Sequence, residues 1–257
     1  MTAALHGVAR HELLALVDQR PDEVRAFLDW AERHESGSSS MYLAKRSDIL
    51  DARHAASLYP EAWWGVVVFT CFGSLNSTRA LREVIAEPVN AEAAGELLAS
   101  VHFTRPTVGH HRIQQGLLGA KKALVAACRH SDILHEVLHR PRSFDDRYRR
   151  LRSAGLARWG RTTCFDLLLR TGVLSVGGQR YEPEIAYLAG STGPRAGFRA
   201  VWGRDVTDGT APWCEGVLQA WHRHWPEVVD RVGAHWSGRP YAPGDLENAL
   251  CIYQERR

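Results

Sequence analysis

Tyr187-Leu188-Ala189-Gly190-Ser191-Thr192-Gly193-Pro194-Arg195-Ala196-Gly197-Phe198-Arg199-Ala200 is the stretch whose reading decides the fold. Pro183 to Leu188 reads as the start of a helix. Gly190 and Gly193 can take positive φ, and Gly193-Pro194 ends one element and opens the next. The pattern therefore predicts a helix, a tight glycine hairpin and a second helix. Amides at the start of that second helix point outward with partial positive charge, so they suit a phosphate, and Arg195 and Arg199 would flank it. An ordinary helix–turn–helix joint accounts for the same residues without a ligand.

Working outward, nearly every segment carries a helical period. Apolar residues recur at three and four from His11 to His34, broken at Arg20-Pro21-Asp22, with Pro21 suited to the first turn of a second helix. Glu35 to Ser40 reads as a polar connector. Helices are predicted over Met41 to Leu58, Ala91 to Ser100, Gly116 to Cys128 and Thr162 to Leu174, and over Ser131 to His139 with Ser131 or Asp132 as cap. Three more follow at Trp213 to Trp225, Glu227 to Trp236 and Gly244 to Tyr253. Glu61 to Phe72 is ambiguous, since a short run with two Trp and three Val suits a strand as well as a buried helix. The expectation is a mostly α protein. It forms a single helical domain over 1–257, with lobes of about 1–140 and 141–257 as the natural division.

The composition is that of an ordinary globular chain: 257 residues, 45% hydrophobic and 24% charged. A formal net charge of +3 permits a nucleic-acid partner without demanding one. The five cysteines form no CxxC pair, which points to a reducing compartment and away from disulfides or a zinc knuckle. No apolar run is long enough for a membrane span, and Met1 to Leu14 lacks the apolar core of a signal peptide. The protein is expected to be cytoplasmic.

Three blocks go further. They are Gly160-Arg161-Thr162-Thr163-Cys164-Phe165-Asp166-Leu167-Leu168, the "YLxGxTGPxxG" form of Tyr187 to Gly197, and Asp245-Leu246-Glu247-Asn248-Ala249-Leu250-Cys251-Ile252-Tyr253-Gln254. Together they resemble the α-glutamyl/putrescinyl thymine pyrophosphorylase family, in the helix–hairpin–helix DNA glycosylase superfamily. The likeness covers roughly the last hundred residues; the first half matches loosely at Phe72 to Thr78. It implies a glycosylase-like helical fold, hairpin amides on phosphate, and displacement of pyrophosphate from a modified thymine methylene by an amine. One departure counts against a Schiff base: Arg195 stands where the superfamily often has a nucleophilic Lys. Asp205 and Asp208, the carboxylates after the hairpin, lie in a polar run.

Asp166 and Glu247 are the candidate catalytic residues. Each is a carboxylate inside apolar helical sequence, where desolvation raises a pKa toward the acid–base range, unless it faces solvent or pairs with Arg161 or Arg170. Candidate substrate- or phosphate-binding residues are Arg161, Gly193, Arg195 and Arg199, with Asn76 and Arg79 in the loop after Phe72. A helix cap by Asn76 or Ser77 is the plain alternative there. The basic run Arg142 to Arg161 suits backbone contacts to nucleic acid. His110-His111 and His222-Arg223-His224 read as surface residues without zinc-like spacing, so no metal is expected. No P-loop, GxGxxG or GxSxG is present, and no cofactor is expected. Trp221 and Trp225 read as core more readily than as a platform for a flipped base.

The sequence thus supports a glycosylase-fold enzyme acting on a nucleobase, a nucleotide or a modified thymine. Two alternatives stand beside it: a non-catalytic nucleic-acid-binding protein, and a transferase of small molecules, such as an amine acceptor, on the same fold.

Overall fold

The computed structural model describes residues 7–36, 41–101, 103 and 116–254, with side chains for 7–33, 48–101, 103 and 116–253. The connector over 37–40 and the His110-His111 pair lie outside these. Among the described residues there are fourteen helices and no strand. They are α1 (Arg10–Gln19), α2 (Pro21–Ser36), α3 (Met41–Leu58), α4 (Ala62–Phe72), α5 (Leu75–Arg82), α6 (Ala91–Ser100) and α7 (Gly116–Arg129). The rest are α8 (Ser131–His139), α9 (Phe144–Ser153), α10 (Arg161–Val173), α11 (Gly193–Trp202), α12 (Ala211–Arg223), α13 (Trp225–Val232) and α14 (Pro243–Gln254). The all-α expectation holds.

The chain divides into two compact units. The first joins the residues up to Lys45 to those from Pro183 onward; the second is Arg46–Glu182. The division thus does not fall near residue 140. No linker marks the first boundary, because it lies inside the continuous helix α3.

In the first unit α1, α2, α11, α12, α13 and α14 enclose an aromatic core. Trp221 and Trp225 are fully buried and stacked, with centroids 5.4 Å apart and planes at 16°. Trp202 meets Trp221 edge-on at 5.1 Å, and Phe27, Trp30 and Tyr253 close the other side. Such pairs add about 0.5–1.5 kcal/mol each beyond the area they remove from water. These rings are core, so they offer no face to a base. Gly193 and Gly197 let α14 approach α11 closely. A Cβ on Gly193 would collide with Cys251 Sγ, and one on Gly197 with the Leu250 carbonyl.

In the second unit α4 is the central helix, buried from Trp63 through Phe72. All-round burial erases periodicity, which is why its sequence suits a strand equally well. It runs as a helix against α3 because Gly65 has no Cβ to strike the Ala55 carbonyl. Gly73, at φ 63°, takes the left-handed C-cap. Arg147 of α9 is buried and braces the backbone around it. Its guanidinium donates to the carbonyls of Val137, Arg140 and Arg142 and to Gln179 Oε1, and lies 4.0 Å from the Tyr181 ring centroid.

Several local expectations need correction. Residues 183–188 are not helical, so 188–200 holds one helix, α11, preceded by a turn, and no helix–hairpin–helix forms there. The cause is Glu215 on α12, 4% exposed, whose carboxylate accepts the backbone N–H groups of Ala186 and Leu188. Those amides find their acceptor about thirty residues away rather than four residues back, and Tyr187 between them adopts φ 51°. Gly190 has positive φ as expected, at 70°; Gly193 does not, being the first residue of α11. Ser74, rather than Asn76 or Ser77, caps α5 by accepting the Ser77 N–H. Neither Ser131 nor Asp132 caps α8, whose N-cap position is His130, without a side-chain bond.

Candidate active site

A group of interacting ionisable residues gathers around a buried arginine in the second unit. Asp48, Asp51 and His54 stand three residues apart along α3, beside Ala52 and Ala55, which are buried. Tyr59 at the end of the helix donates to the Thr78 carbonyl at 2.8 Å, and Arg82 to the Leu58 carbonyl at 2.7 Å, tying α3 to α5. From α10 comes Arg170, only 4% exposed. It grips Asp48 with two bonds, Nε to Oδ2 at 2.9 Å and Nη2 to Oδ1 at 2.8 Å. Its Nη1 donates to Thr70 Oγ1 at 3.0 Å, and its guanidinium lies 4.9 Å from the Phe69 ring centroid. Burial opposes the guanidinium charge most strongly, yet Asp48, then Asp166, together hold its pKa above the ordinary arginine value.

Asp51 is pushed the unusual way for a carboxylate. Burial raises its pKa first, and the charge of Asp48 raises it further, against the opposing pull of His54 and Arg79. Those two side chains are exposed, with Arg79 Nη2 and His54 Nε2 3.2 Å apart. A half-buried carboxylate with a raised pKa, next to exposed nitrogen groups, has the character of a general acid–base beside an anion-binding rim.

Two of the residues singled out in the sequence, Asp166 and Arg79, enter this cluster. Asp166 acts one turn before Arg170 and supports its charge, the pairing alternative weighed for it. Asn76 is exposed in the first turn of α5, three residues before Arg79. Arg161 opens α10 with its guanidinium 5.7 Å from the Phe165 ring centroid. Asp48, Asp51 and His54 were missed. Their only mark in the sequence is a three-residue spacing on one edge of an otherwise ordinary helix.

The other candidates belong to the first unit. Arg195 donates from Nε to the Leu188 carbonyl at 2.8 Å and pairs with Asp208, whose pKa it lowers through that bond and its charge. Arg199 pairs with Asp205 at 3.2 Å on the surface. The carboxylates after the hairpin stretch are thus partners of its arginines. Arg199 also borders an open depression of about 420 Å³, with Arg20, Ala196, Ala200 and Gly203. Gly193 is a packing residue against Cys251, and Glu247 is 7% exposed on α14.

Part of the basic run is paired within its own unit. Arg149 pairs with Asp145 and Asp146, and Arg140, Arg142 and Arg150 converge on Glu136 at 3.3, 3.5 and 2.8 Å. Arg147, being buried, does not face solvent. Of the histidines near Trp221, Nδ1 of His222 lies 2.8 Å from the Tyr241 carbonyl and Nδ1 of His224 lies 3.0 Å from Glu227. Among the described residues no three His, Cys, Asp or Glu gather as a metal cage, and no helix is long and apolar enough to cross a membrane.

Comparisons with protein-family profiles, with curated proteins and with solved structures find no match.

Proposed function

We propose that the chain is an enzyme that uses Asp51 for acid–base chemistry on a phosphate-bearing small molecule, a nucleotide or a pyrophosphate-activated nucleobase. The observation that carries this reading is the raised pKa of Asp51 beside the buried Asp48–Arg170 pair, with His54 and Arg79 exposed next to it. Arg79 and His54 hold the anionic group. Arg170, supported by Asp166, is a positioning residue that holds Asp48 in place. In the group transfer suggested by the sequence resemblance, an amine nitrogen bonds to the methylene carbon as the carbon–oxygen bond to pyrophosphate breaks. The Asp51 carboxylate takes the proton released by the resulting ammonium, and pyrophosphate leaves with its electron pair. Glu247 belongs to the other unit and has no step in this scheme. The formal net charge of only +3 favours a small molecule over a nucleic-acid polymer.

The test is a binding screen on the full chain with pyrophosphate, nucleoside mono-, di- and triphosphates, and single- and double-stranded DNA. At least one phosphate compound is expected to bind, with affinity about tenfold weaker in Arg79→Ala. Tight DNA binding with a steep salt dependence, and none by small phosphates, would overturn the reading in favour of a nucleic-acid-binding protein.

A further inference from the structure

We propose that the open depression between the α1–α2 joint and α11 binds the phosphoryl group of a small phosphorylated molecule. It belongs to the first unit alone, so it is a site in addition to the Asp51 cluster and rests on different observations. Ala196, Arg199, Ala200 and Gly203 line it from α11 and its C-cap. Their spacing of three and four makes them one stripe along a single helix face. Arg20, the residue that joins α1 to α2, lines it from the other side.

Small residues at three of the four stripe positions leave a space of about 420 Å³ that longer side chains would fill. Sites for small molecules run from about 300 to 1,000 Å³, so the depression admits an organic body as well as its phosphate. Gly203 has to stay small for two reasons. It takes φ 67° as the left-handed C-cap, and a Cβ there would strike Arg20 Nη1.

The charge of the lining has one sign. Among the described residues it holds two arginines and no carboxylate. A guanidinium keeps its proton at any ordinary pH and presents several N–H donors to the oxygens of a phosphate. The fold uses little of that capacity here. Arg20 donates from Nη2 to Glu23 Oε1 at 2.6 Å, its one side-chain hydrogen bond among the described residues. Its Nε is closed off from solvent with no acceptor at all. Arg199 makes no side-chain hydrogen bond there; its Nη1 lies 3.2 Å from Asp205 Oδ1, with both side chains more than two-thirds exposed. Such exposed pairs contribute little. A phosphate monoester, with a charge of about −1.5 to −2 and three strong acceptor oxygens, competes well with one carboxylate for that arginine. A nucleic-acid backbone needs a row of contacts, and the next arginine on α11 does not extend the row. Arg195 is committed to the Leu188 carbonyl and to Asp208.

The experiment follows backbone amide shifts of the full chain by NMR as phenyl phosphate or adenosine monophosphate is added, with phenol and adenosine as phosphate-free controls. Saturable shifts are expected at Ala196, Arg199, Ala200 and Gly203 with both esters and with neither control. Affinity read at those amides should be about tenfold weaker in Arg199→Gln, the scale of losing one charge-assisted contact. It should be lost in Ala196→Glu, which sets a carboxylate on the stripe. Both positions are exposed, so these variants report on the site even if Arg20→Gln disturbs the α1–α2 joint. Arg79→Ala should leave the shifts unchanged, which separates failure of this site from failure of the Asp51 reading. Arg223→Gln, which removes an exposed arginine on α12, should leave them unchanged too. The proposal is overturned by absence of saturable shifts with both esters, by equal binding in the Arg199 variant, or by an equal loss in the Arg223 variant. Shifts at these amides with double-stranded DNA and not with the esters would overturn it as well.

Discussion

Burial and the neighbouring charge of Asp48 raise the folded-state pKa of Asp51 above its unfolded value, which fixes the sign of its linkage. The stability it contributes is complete below the unfolded pKa, about 3.9, and is lost as pH rises through the folded value. At neutral pH, above the unfolded value, this side chain therefore weakens the fold relative to a neutral isostere. Asp51→Asn is expected to melt higher than wild type at pH 7, with the gain vanishing below about pH 4. Turnover should fall about a hundredfold or more, the scale of losing an acid–base group. Paired melting and kinetic measurements check both halves; a lower melting temperature together with lost activity would make Asp51 a structural anchor. Asp166→Asn should do the reverse of Asp51→Asn in melting, because it removes support for the buried charge of Arg170. At this scale the sequence was only partly legible. An acidic residue in the apolar run Cys164 to Leu168 attracts notice, and Asp166 does enter the cluster. Asp51 looks like any solvated residue on α3, because burial, the largest cause of its shift, comes from packing that the local sequence does not show.

The α11–α14 contact and the 183–192 segment carry the predictions at the level of elements. A methyl group on Gly197 would meet the backbone carbonyl of Leu250, which cannot rotate aside, whereas one on Gly193 would meet the side chain of Cys251, which can. Gly197→Ala should therefore destabilise by about 1–3 kcal/mol, the range for overpacking, and Gly193→Ala by less. Denaturant unfolding of the two variants tests the order. Glu215→Gln places an amide N–H₂ where a second acceptor is required by the Ala186 and Leu188 amides. A loss of roughly 1–3 kcal/mol is expected for the buried donor left unmatched. A helix start such as Pro21 was readable because its signal is local. The reading failed at 183–188 because the deciding acceptor, Glu215, is remote in sequence. It failed at Gly193 because a glycine that admits a neighbouring helix looks the same, in one dimension, as one that bends the chain.

For the molecule as a whole, modest net charge and internal pairing set the response to salt and acid. DNA affinity at low salt should be weak, with a log–log salt slope far shallower than that of a protein making 6–10 phosphate contacts; fluorescence anisotropy across salt concentrations checks this. In the first unit, Arg231 lowers the pKa of Asp18, and Arg10 and then His224 lower that of Glu227. Carboxylates with depressed folded-state values stabilise above their unfolded pKa and lose that contribution as pH falls through the folded one. Melting temperature is therefore expected to drop on acidification below about pH 4, by less in high salt, since these pairs are exposed and screened.

The discontinuous first unit bears on events during translation. Its aromatic core needs Phe27 and Trp30 together with Trp202, Trp221 and Tyr253. At 5–20 residues per second, the apolar face of α2 leaves the ribosome roughly 10–40 s before its partners are made. The second unit, uninterrupted from Arg46 to Glu182, is finished first. Until Trp202, Trp221 and Tyr253 follow, the nascent chain presents an unsatisfied amphipathic helix to its surroundings, a target for holding chaperones and a point where two growing chains can exchange segments.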